Sequence, residues 1–373
     1  MSDPRYTVDY DRRLGLYRWQ VAAGEQLLPP AAQPVRRSPR VVALGGGTGL
    51  PILLQGLKAA FFPPGWTWVP ARDRTRLTAI VTVADDGGSS GRLRQAYHIH
   101  PPGDIRNCLL ALSDGDPTMA AIFNFRFNGE GEVGGHSLGN LILTALSQLE
   151  GDFSEAVEQG GEILAIRGQV FPSTLEDVTL RAEFEDGSQM EGESRIASVR
   201  RPIRRVVLQP EGVRALPPAR EALEAADLIV IGPGSLYTSL IPVLLVKGLS
   251  EAIAHSRARV VLVMNLMTEP GETDGYTAAD HVVAIRRHAP HVPIHDVLLN
   301  TTLIPREFID YYTAEGAAPV PLDTELLPAL GCRPVGRDLL GAGPQIRHDP
   351  RKLARAVLDL ATENDHAGRE AGG

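Results

Sequence analysis

The sequence contains little that would place it in a membrane or in an oxidising compartment. Only two of its 373 residues are cysteines, and no apolar run reaches the ~18 residues that a membrane-spanning helix needs. Cys108 and Cys332 form no spacing motif and cannot make a disulfide framework, which fits a reducing compartment. The polar start, MSDPRYTVDYDRR, is not typical of a signal peptide. We therefore predict a soluble, cytoplasmic protein with no membrane span.

An excess of positive charge is missing as well. The formal net charge is −8, which gives no general attraction to nucleic acid or to an anionic membrane. The hydrophobic fraction of 43% and the charged fraction of 22% are ordinary for a globular protein. At 373 residues the chain exceeds what one compact core usually holds, so we expect one large or two moderate domains.

The most informative segment that is present, VVALGGGTGL, spans residues 41–50. Its apolar run suits a buried parallel strand, and the following PILLQGLKAAF has leucines at helical spacing. A helix that opens onto a glycine-rich loop presents free N–H groups and a partial positive charge, which attract phosphate. The alternative is a tight turn that binds nothing. We assign ligand binding here to Gly45, Gly46, Gly47, Thr48 and Gly49.

This loop lacks the two best-known phosphate signatures. It has no Lys-Ser/Thr ending of a nucleoside-triphosphate loop, and its glycines do not follow G-x-G-x-x-G. The next acidic residues after a strand, Asp85 and Asp86, lie well beyond the ~20 residues expected for the ribose-binding acid of a dinucleotide site. An NAD-type dinucleotide therefore stays an alternative, and a phosphorylated ligand is the better prediction.

From residue 41 onward, apolar strands alternate with helical stretches. The strands are short and almost continuously hydrophobic, as strands covered on both faces should be: VVAL, LTAIVTVA, DLIVIG, RVVLVMNL and HDVLLN. The helical stretches between them are LGNLILTALSQL, EALEAA, VLLVKGLSEAIAHS and AADHVVAIRRH. The alternation predicts an α/β fold with a Rossmann-like, doubly wound and mostly parallel sheet.

We assign the nucleotide-binding α/β domain to residues 40–167 and 211–350. Within residues 168–210, alternating segments surround an Asp-Gly pair, which predicts a small antiparallel β insertion. Residues 1–39 form an N-terminal extension with a Pro-rich linker, either a partly ordered tail or a segment that contacts a partner. Residues 351–373 are assigned to a C-terminal helix and tail.

A second glycine-rich loop, ADDGGSSGRLR, follows the second strand, at the strand end where α/β proteins bind ligands. Its glycines allow a backbone nest, its serines add hydroxyl donors, and its arginines suit phosphate. The two carboxylates are predicted to bind Mg²⁺, to accept hydrogen bonds from sugar hydroxyls or to act as a base. The alternative is that they cap the next helix. The residues assigned to ligand binding are Asp85, Asp86, Gly88, Ser89, Ser90 and Arg92.

Two further helix starts carry polar residues. In PGDIRN, Asp104 is the expected N-cap, and Arg106 lies in the first turn, where it works against the helix dipole. Arg106 therefore binds a ligand anion or pairs with a neighbouring aspartate. In GGHSLGN, three roles are open for His136: a hydrogen-bond donor to phosphate, an acid or base, or a structural residue. The residues assigned to ligand binding are Asp104, Arg106, Asn107, His136 and Asn140.

The segments IGPGSLYTS and NLMTEPGETDGY follow two later strands. The first is a second glycine-rich helix mouth, and two mouths at neighbouring strand ends suit a diphosphate. We place that diphosphate between residues 45–49 and 232–235. The second segment is turn-rich and is predicted to be a lid that closes over a sugar or base. The residues assigned to ligand binding are Gly232, Gly234, Ser235, Thr238, Asn265, Thr273 and Tyr276.

Six motifs taken together resemble those of the bacterial gluconeogenesis factors of the YvcK type: LGGGTG, TVADDGGSSGRLR, PPGDIRN, HSLGN, IGPGSLYTSLIP and NLMTEPGETDGY. The resemblance covers about Arg40 to Val320. It implies a cytoplasmic protein required for normal cell shape on gluconeogenic carbon sources. It also implies binding of UDP-sugars, notably UDP-N-acetylglucosamine, as a regulatory signal for cell-wall precursor synthesis.

These factors are distant relatives of the phospholactate transferases that build a deazaflavin coenzyme. The transferases share the first glycine loop and an Ala-Asp-Asp, where they bind a nucleotide diphosphate and use Mg²⁺, but they are not similar in GGSSGRLR and PGDIRN. This difference favours a regulator with no catalytic residue, and a Mg-dependent transferase that uses Asp85 or Asp86 stays the alternative. A protein partner in cell-wall precursor synthesis and a homo-oligomer are further expectations. The nucleotide contacts carried over by motif position are Gly46, Thr48, Asp85, Ser89, Arg92, Gly232, Ser235 and Tyr276.

Overall fold

The computed structural model describes residues 6–11, 16–21, 39–62, 71–343 and 345–370. The chain divides into two compact units, Met1–Arg37 and Ser38–Gly373. In the first unit, strands β1 (Tyr6–Asp11) and β2 (Leu16–Val21) pair antiparallel, in a segment where the sequence shows no clean periodicity. The predicted Pro-rich linker, LLPPAAQPVRRSPR, lies outside the described residues as far as residue 38.

The second unit contains two sheets. Its strands in chain order are β3 (Val41–Gly45), β4 (Leu77–Val81), β5 (Gln169–Pro172), β6 (Thr179–Phe184), β7 (Gln189–Glu191), β8 (Ile203–Gln209), β9 (Leu228–Ile231), β10 (Arg259–Val263), β11 (Asp296–Asn300) and β12 (Arg333–Arg337). Within the described residues, seven strands form an all-parallel sheet in the order β12-β11-β10-β9-β3-β4-β5. Strands β7, β6 and β8 form a small antiparallel sheet. The predicted fold class is confirmed.

Helices cover both faces of the parallel sheet. The α-helices are α1 (Gly49–Phe61), α2 (Ala71–Arg74), α3 (Gly88–Tyr97), α4 (Gly103–Leu112), α5 (Pro117–Asn124), α6 (Leu138–Glu150), α7 (Phe153–Ile163), α8 (Glu193–Ser198), α9 (Pro217–Glu224), α10 (Ile241–Leu245), α11 (Leu249–His255), α12 (Ala278–His288), α13 (Arg306–Ala314) and α14 (Pro350–Glu370). A π-helix (Leu236–Leu240) runs into α10, and a short 3₁₀ helix spans Pro328–Leu330.

Alternate residues of the central strands belong to two separate hydrophobic cores, because successive side chains of a strand point to opposite faces. Val42 and Leu44 of β3 lie in the core that contains α12 and the antiparallel sheet. Val41 and Ala43 lie in the core formed with α1, α4 and α14. Burial on both faces explains why these strands read as continuous apolar runs.

In the parallel sheet of the second unit, two strands were not predicted. β5 falls inside the residues 168–210 assigned to the insertion, but it pairs with β4 in the main sheet, and the antiparallel sheet begins only at Thr179. β12 is an edge strand with the sequence RPVGR, which lacks the apolar run of a central strand. One predicted helix, VLLVKGLSEAIAHS, is divided between α10 and α11, since Gly248 between them has a positive φ of 91°.

Helix α14 packs closely on α1. A Cβ atom built on Gly56 would lie 1.8 Å from the carbonyl oxygen of Pro350, so only glycine allows this approach. Leu353, Val357 and Leu360 of α14 are fully buried in the core beneath. This packing anchors the helix whose first turn follows the glycine-rich loop.

None of the helices in the described part of the chain combines the length and apolar character needed to cross a lipid bilayer.

Candidate functional site

The strand order creates a crevice beside the first glycine-rich loop. The chain moves outward from β3 through β4 to β5, and it then returns to β9 on the other side of β3 and continues to β12. The order in which the chain adds strands to the sheet therefore reverses between β3 and β9. Open α/β sheets bind ligands at the carboxyl ends of their strands at such a topological switch point. The two loops that follow β3 and β9 are those in which we predicted a diphosphate site.

These two loops are in direct contact. A Cβ atom on Gly49 would lie 2.5 Å from the carbonyl oxygen of Pro233, and one on Gly234 would lie 3.4 Å from the carbonyl oxygen of Gly46. Gly232 has a φ of 81°, which favours glycine. The glycines thus serve close approach between the two loops, in addition to any approach by a ligand.

Asn265 ties the second loop to the end of β10. Its Nδ2 donates to the carbonyl oxygen of Gly234 at 2.9 Å, and its Oδ1 accepts from the N–H of Gly234 at 3.2 Å. Nδ2 also lies 3.4 Å from Oε1 of Glu269. A paired amide contact of this kind fixes the loop in one orientation, and it places Asn265 at the edge of the crevice.

A cavity of about 390 Å³ opens at this crevice. The first turn of α1 and the Pro233–Ser235 segment form one side, and α13 and the segment before α14 form the other. Burial lowers the pKa of His348 to about 4, so this lining residue is neutral near pH 7, whereas Arg347 contributes a positive charge. Two carboxyl groups also line the cavity, those of Glu269, whose pKa is raised by burial, and of Glu315. The polar side chains that line the cavity are Thr48, Ser235, Asn265, Thr268, Glu269, Tyr312, Glu315, Arg347 and His348.

Asp104 contacts the first glycine-rich loop instead of capping its own helix. The N-cap of α4 is Pro102, with no side-chain cap bond, so the predicted N-cap role of Asp104 is wrong. Its Oδ2 accepts from the N–H of Gly47 at 2.7 Å. Burial, together with the charge of Asp85, raises the pKa of Asp104 to about 6. One N–H of the predicted phosphate loop is therefore already paired with a carboxyl group.

Asp85 and Asp86 have different roles. Oδ1 of Asp85 accepts from the N–H of Gly87 at 2.8 Å, and burial raises the pKa of Asp85. Oδ1 of Asp86 accepts from the N–H of Ser194 at 2.8 Å, so Asp86 caps α8 of the inserted segment. In the part of the chain that the structure describes, no group of three or more His, Cys, Asp or Glu residues is arranged to hold a metal ion.

The inserted segment brings Glu193 to this acidic region, which sequence reasoning missed. A Cβ atom on Gly87 would lie 4.0 Å from Oε2 of Glu193. Burial, followed by the charges of Asp85 and Glu272, raises the pKa of Glu193 to about 8. The carboxyl group is therefore protonated near pH 7 and can donate a hydrogen bond. No local sequence pattern around Glu193 indicates this role, because the role depends on a segment that folds back onto the loop after β4.

Ser89, His136 and Asn140 form a buried network. Oγ of Ser89 lies 2.9 Å from Nδ1 of His136 and accepts from Nδ2 of Asn140 at 3.0 Å. Burial lowers the pKa of His136, and the nearby Arg92 and Arg126 lower it further, so the ring is neutral near pH 7. This arrangement agrees with a structural role for His136 more than with a cationic phosphate contact.

Arg106 is buried beside this network, with 6% of its surface exposed. Its guanidinium donates to Oδ1 of Asn140 at 2.9 Å, to Oγ of Ser137, and to Oδ1 of Asn107 at 2.7 Å. All three partners are neutral, and Nε has no hydrogen-bond partner. The predicted ion pair with Asp104 or Asp85 does not form within the described residues.

The remaining residues of the second loop lie around this network. Oγ of Ser90 accepts from the N–H of Gly103 at 3.1 Å, which joins α3 to the start of α4. Arg92 is exposed and donates to the carbonyl oxygen of Gly134 at 2.8 Å. Gly88 is exposed, and it is the first residue of α3, with a positive φ of 47°.

The second predicted helix mouth is closed by a carboxyl group of the protein itself. Glu272 accepts from the N–H of Tyr237 at 3.1 Å and from Oγ1 of Thr238 at 2.8 Å. Burial raises the pKa of Glu272 to about 7, and the charge of Glu269 adds to the shift. Thr238 is therefore committed to an internal bond, and the mouth of the π-helix is not open to an anion at that position.

The predicted lid is already packed. Oγ1 of Thr273 accepts from the N–H of Glu269 at 2.8 Å, and only 1% of Thr273 is exposed. The hydroxyl of Tyr276 lies 2.8 Å from that of Tyr237, and its ring packs edge-on against His281. The structure brings neither Thr273 nor Tyr276 to the cavity, because their side chains face the core.

The fold and site define a Rossmann-like α/β protein with a cleft at the switch point of its sheet. Residues 41–340 match the model of the family described as 2-phospho-L-lactate transferase CofD. The chain is 45% identical over 328 residues to a gluconeogenesis factor of Bacillus subtilis, covering 88% of this chain and 99% of that protein. It is 46% identical over 325 residues to a putative gluconeogenesis factor of a Nostoc species, covering 86% and 68%.

A solved crystal structure of a protein from Bacillus halodurans is also similar. It superimposes with a TM-score of 0.79 at 43% identity, over 85% of this chain and 99% of that one. The chain therefore belongs to the CofD family and, within it, to the gluconeogenesis factors. The family resemblance inferred from the six motifs is confirmed.

Proposed function

We propose that this gluconeogenesis factor is a cytoplasmic regulatory protein that binds a UDP-sugar, UDP-N-acetylglucosamine in particular. In this role it would maintain cell shape and the supply of cell-wall precursors during gluconeogenic growth, through a protein partner in precursor synthesis. The relatives' name supports the link to gluconeogenic metabolism.

The observation that carries the proposal is the pair of touching glycine-rich loops at the switch point, with a cavity of about 390 Å³ beside them. Thr48 is the exposed N-cap of α1 and makes no side-chain cap bond, so the first turn of α1 is available to a diphosphate. Arg347 adds positive charge in a lining that also holds the carboxyl groups of Glu269 and Glu315. Asn265 and Tyr312 offer polar and aromatic contacts to a nucleoside.

Three carboxyl groups beside the glycine-rich loops support a regulator over an enzyme. Asp104 accepts from Gly47, Asp85 accepts from Gly87, and Asp86 caps α8. Each is held by a backbone N–H of the protein, so their first role is to fix loops that surround the cleft. A general base would instead need to reach a proton of the ligand.

A thermal-shift titration tests the proposal most simply, because a ligand that binds only the native state raises its stability. UDP-N-acetylglucosamine should raise the melting temperature in a saturable way, with smaller shifts from GDP and NAD. A shift with NAD alone would favour the dinucleotide alternative, for which the order of the seven strands is the supporting observation.

A Mg-dependent transferase is the second candidate, and the family description supports it. Mg²⁺ usually takes one or two protein carboxylates together with phosphate oxygens and water. Asp85 and Asp104 suit that role. Burial raises the pKa of both carboxyl groups, and the charge of Asp85 raises the pKa of Asp104 further. When bound, Mg²⁺ would supply neutralisation of phosphate charge. Steady release of UMP, UDP or free sugar by the wild type with Mg²⁺, lost in Asp85→Ala, would favour the enzyme.

A further inference from the structure

A second groove, of about 530 Å³, lies on the other side of the first turn of α1. Helices α1, α4 and α5 form its walls. It shares Thr48 and Ile52 with the cavity at the switch point. A ligand that crosses the first turn of α1 would therefore extend from one space into the other.

The polar lining of this groove is neutral. It consists of the Thr48 hydroxyl and the amides of Gln55, Asn107 and Asn124, and no charged side chain lines the groove in the described part of the chain. The other lining side chains are apolar: Pro51, Ile52, Leu110, Ala111, Ala120 and Ala121. Amides both donate and accept hydrogen bonds, which suits hydroxyl and acetamido groups, and apolar side chains suit the C–H face of a sugar ring. An anion would find no counter-charge here.

The buried Arg106 orients one of these amides. Its Nη2 donates to Oδ1 of Asn107 at 2.7 Å, while Nη1 donates to Asn140 of α6 and to Ser137, the N-cap of that helix. Since Oδ1 is occupied, Asn107 offers its two N–H donors to the groove. This contact also gives a reason for an arginine in the first turn of α4, where the helix dipole disfavours it.

We propose that this groove binds the sugar of the nucleotide-sugar ligand. The nucleotide occupies the cavity at the switch point, the diphosphate crosses the first turn of α1, and Asn107 and Asn124 contact hydroxyl and acetamido groups of the hexose. The inference rests on the proposed function, because it concerns the non-nucleotide part of the same ligand. The groove thereby determines which nucleotide derivative the protein selects.

The test compares UDP with UDP-N-acetylglucosamine by titration calorimetry on the full-length chain. Gln55→Ala and Asn124→Ala alter exposed helical residues, so they should leave the fold intact. Each should weaken binding of UDP-N-acetylglucosamine roughly two- to tenfold, the value of one neutral hydrogen bond, and should leave the UDP affinity unchanged. Asn107→Ala should do the same more strongly. Gln95→Ala, an exposed amide of α3 outside both cavities, is the matched control.

Unchanged affinity for the UDP-sugar in both Gln55→Ala and Asn124→Ala would overturn the sugar site while leaving the proposed function standing. Equal weakening of UDP and UDP-sugar would overturn it too, since the groove would then act on the nucleotide or on the fold. If the wild type binds neither compound, the proposed function itself fails and the inference fails with it. Asn107→Ala is interpreted only when its circular dichroism and melting temperature match the wild type, and otherwise the two exposed variants decide.

Discussion

At the scale of single residues, Asn265 connects the end of β10 to the loop that follows β9. Asn265→Ala removes both hydrogen bonds to Gly234, so the loop after β9 loses its fixed orientation. We expect UDP-N-acetylglucosamine to bind about tenfold more weakly, while the free energy of unfolding falls by about 1–2 kcal/mol. Calorimetry and urea denaturation measure the two effects. Asn265→Asp keeps the acceptor for the Gly234 N–H and should be intermediate, and wild-type affinity in Asn265→Ala would contradict the role.

A second prediction at the residue scale concerns Glu193 and the dependence of the free energy of unfolding on pH. Its pKa is raised from the ordinary 4.5 to about 8, so between these values the folded protein holds a proton that the unfolded chain has lost. The free energy of unfolding therefore falls as the pH rises through this window. Glu193→Gln mimics the protonated form. It should equal the wild type near pH 4 and should be more stable by roughly 1–4 kcal/mol at pH 8 to 9.

Urea denaturation of both proteins from pH 4 to pH 9 measures this difference. Asp104 and Glu272 have raised pKa values of the same sign in both proteins, so the difference curve reports the ionisation of Glu193 together with its coupling to their charges. A constant difference across the whole range would show that Glu193 ionises with an ordinary pKa.

At the scale of elements, Glu272 caps the π-helix from another loop. Glu272→Ala leaves the buried Tyr237 N–H and Thr238 hydroxyl without an acceptor, and we expect a loss of about 2–4 kcal/mol of unfolding free energy. Glu272→Gln keeps one acceptor oxygen and relieves the repulsion from Glu269, so it should cost less than about 1 kcal/mol. Chemical denaturation at pH 8 compares them. Equal losses in the two variants would mean that the charge, and not the hydrogen bonds, is what stabilises this turn.

The contact between α1 and α14 gives another element-scale prediction. Gly56→Ala places a methyl group 1.8 Å from the Pro350 carbonyl oxygen, so the two helices must separate. Overpacking of this kind costs about 1–3 kcal/mol, which exceeds the ≈ 0.5–1 kcal/mol that alanine contributes through helix propensity. Thermal denaturation measures the net loss. The neighbouring exposed Gln55→Ala is the control and should be near neutral, and a Gly56→Ala protein as stable as the wild type would refute the close approach.

The same elements show how far the sequence alone could lead. The central strands were predictable because burial on both faces leaves a continuous apolar run, and the glycine-rich loops because close backbone approach requires glycine. The edge strand RPVGR was not, since an edge position does not demand apolar residues. The β insertion was found from its Asp-Gly turn, but its boundary was not, because β5 belongs to the main sheet.

Contacts between distant segments were not predictable. Asp104 pairs with Gly47, and Glu193 is brought to the acidic region by the insertion. Neither partner is marked by local sequence. Glu272 did carry a signal, since it lies within the NLMTEPGETDGY motif, but carboxylates in that loop were interpreted as part of a lid. Thr238, Thr273 and Tyr276 were assigned to ligand binding because they are polar residues in a motif. Their side chains instead form hydrogen bonds within the protein.

At the scale of the whole molecule, the reversal of strand order concentrates the loops at one place. β3, β4, β9 and β10 all end at the same edge of the sheet, and the loops that follow them supply the glycines, Asp85, Ser235 and Asn265. The insertion contributes Glu193 from outside this sheet. Two adjoining spaces on either side of the first turn of α1 then suit a ligand with two chemically different ends.

Calorimetric titration of the full-length chain with UDP-N-acetylglucosamine tests the central claim most directly. We predict saturable binding with one ligand per chain, weaker binding in Asn265→Ala, and no release of UMP, UDP or free sugar during the titration. Absence of binding at millimolar ligand by a protein with a cooperative thermal transition would contradict the claim that the cleft at the switch point binds a nucleotide-sugar.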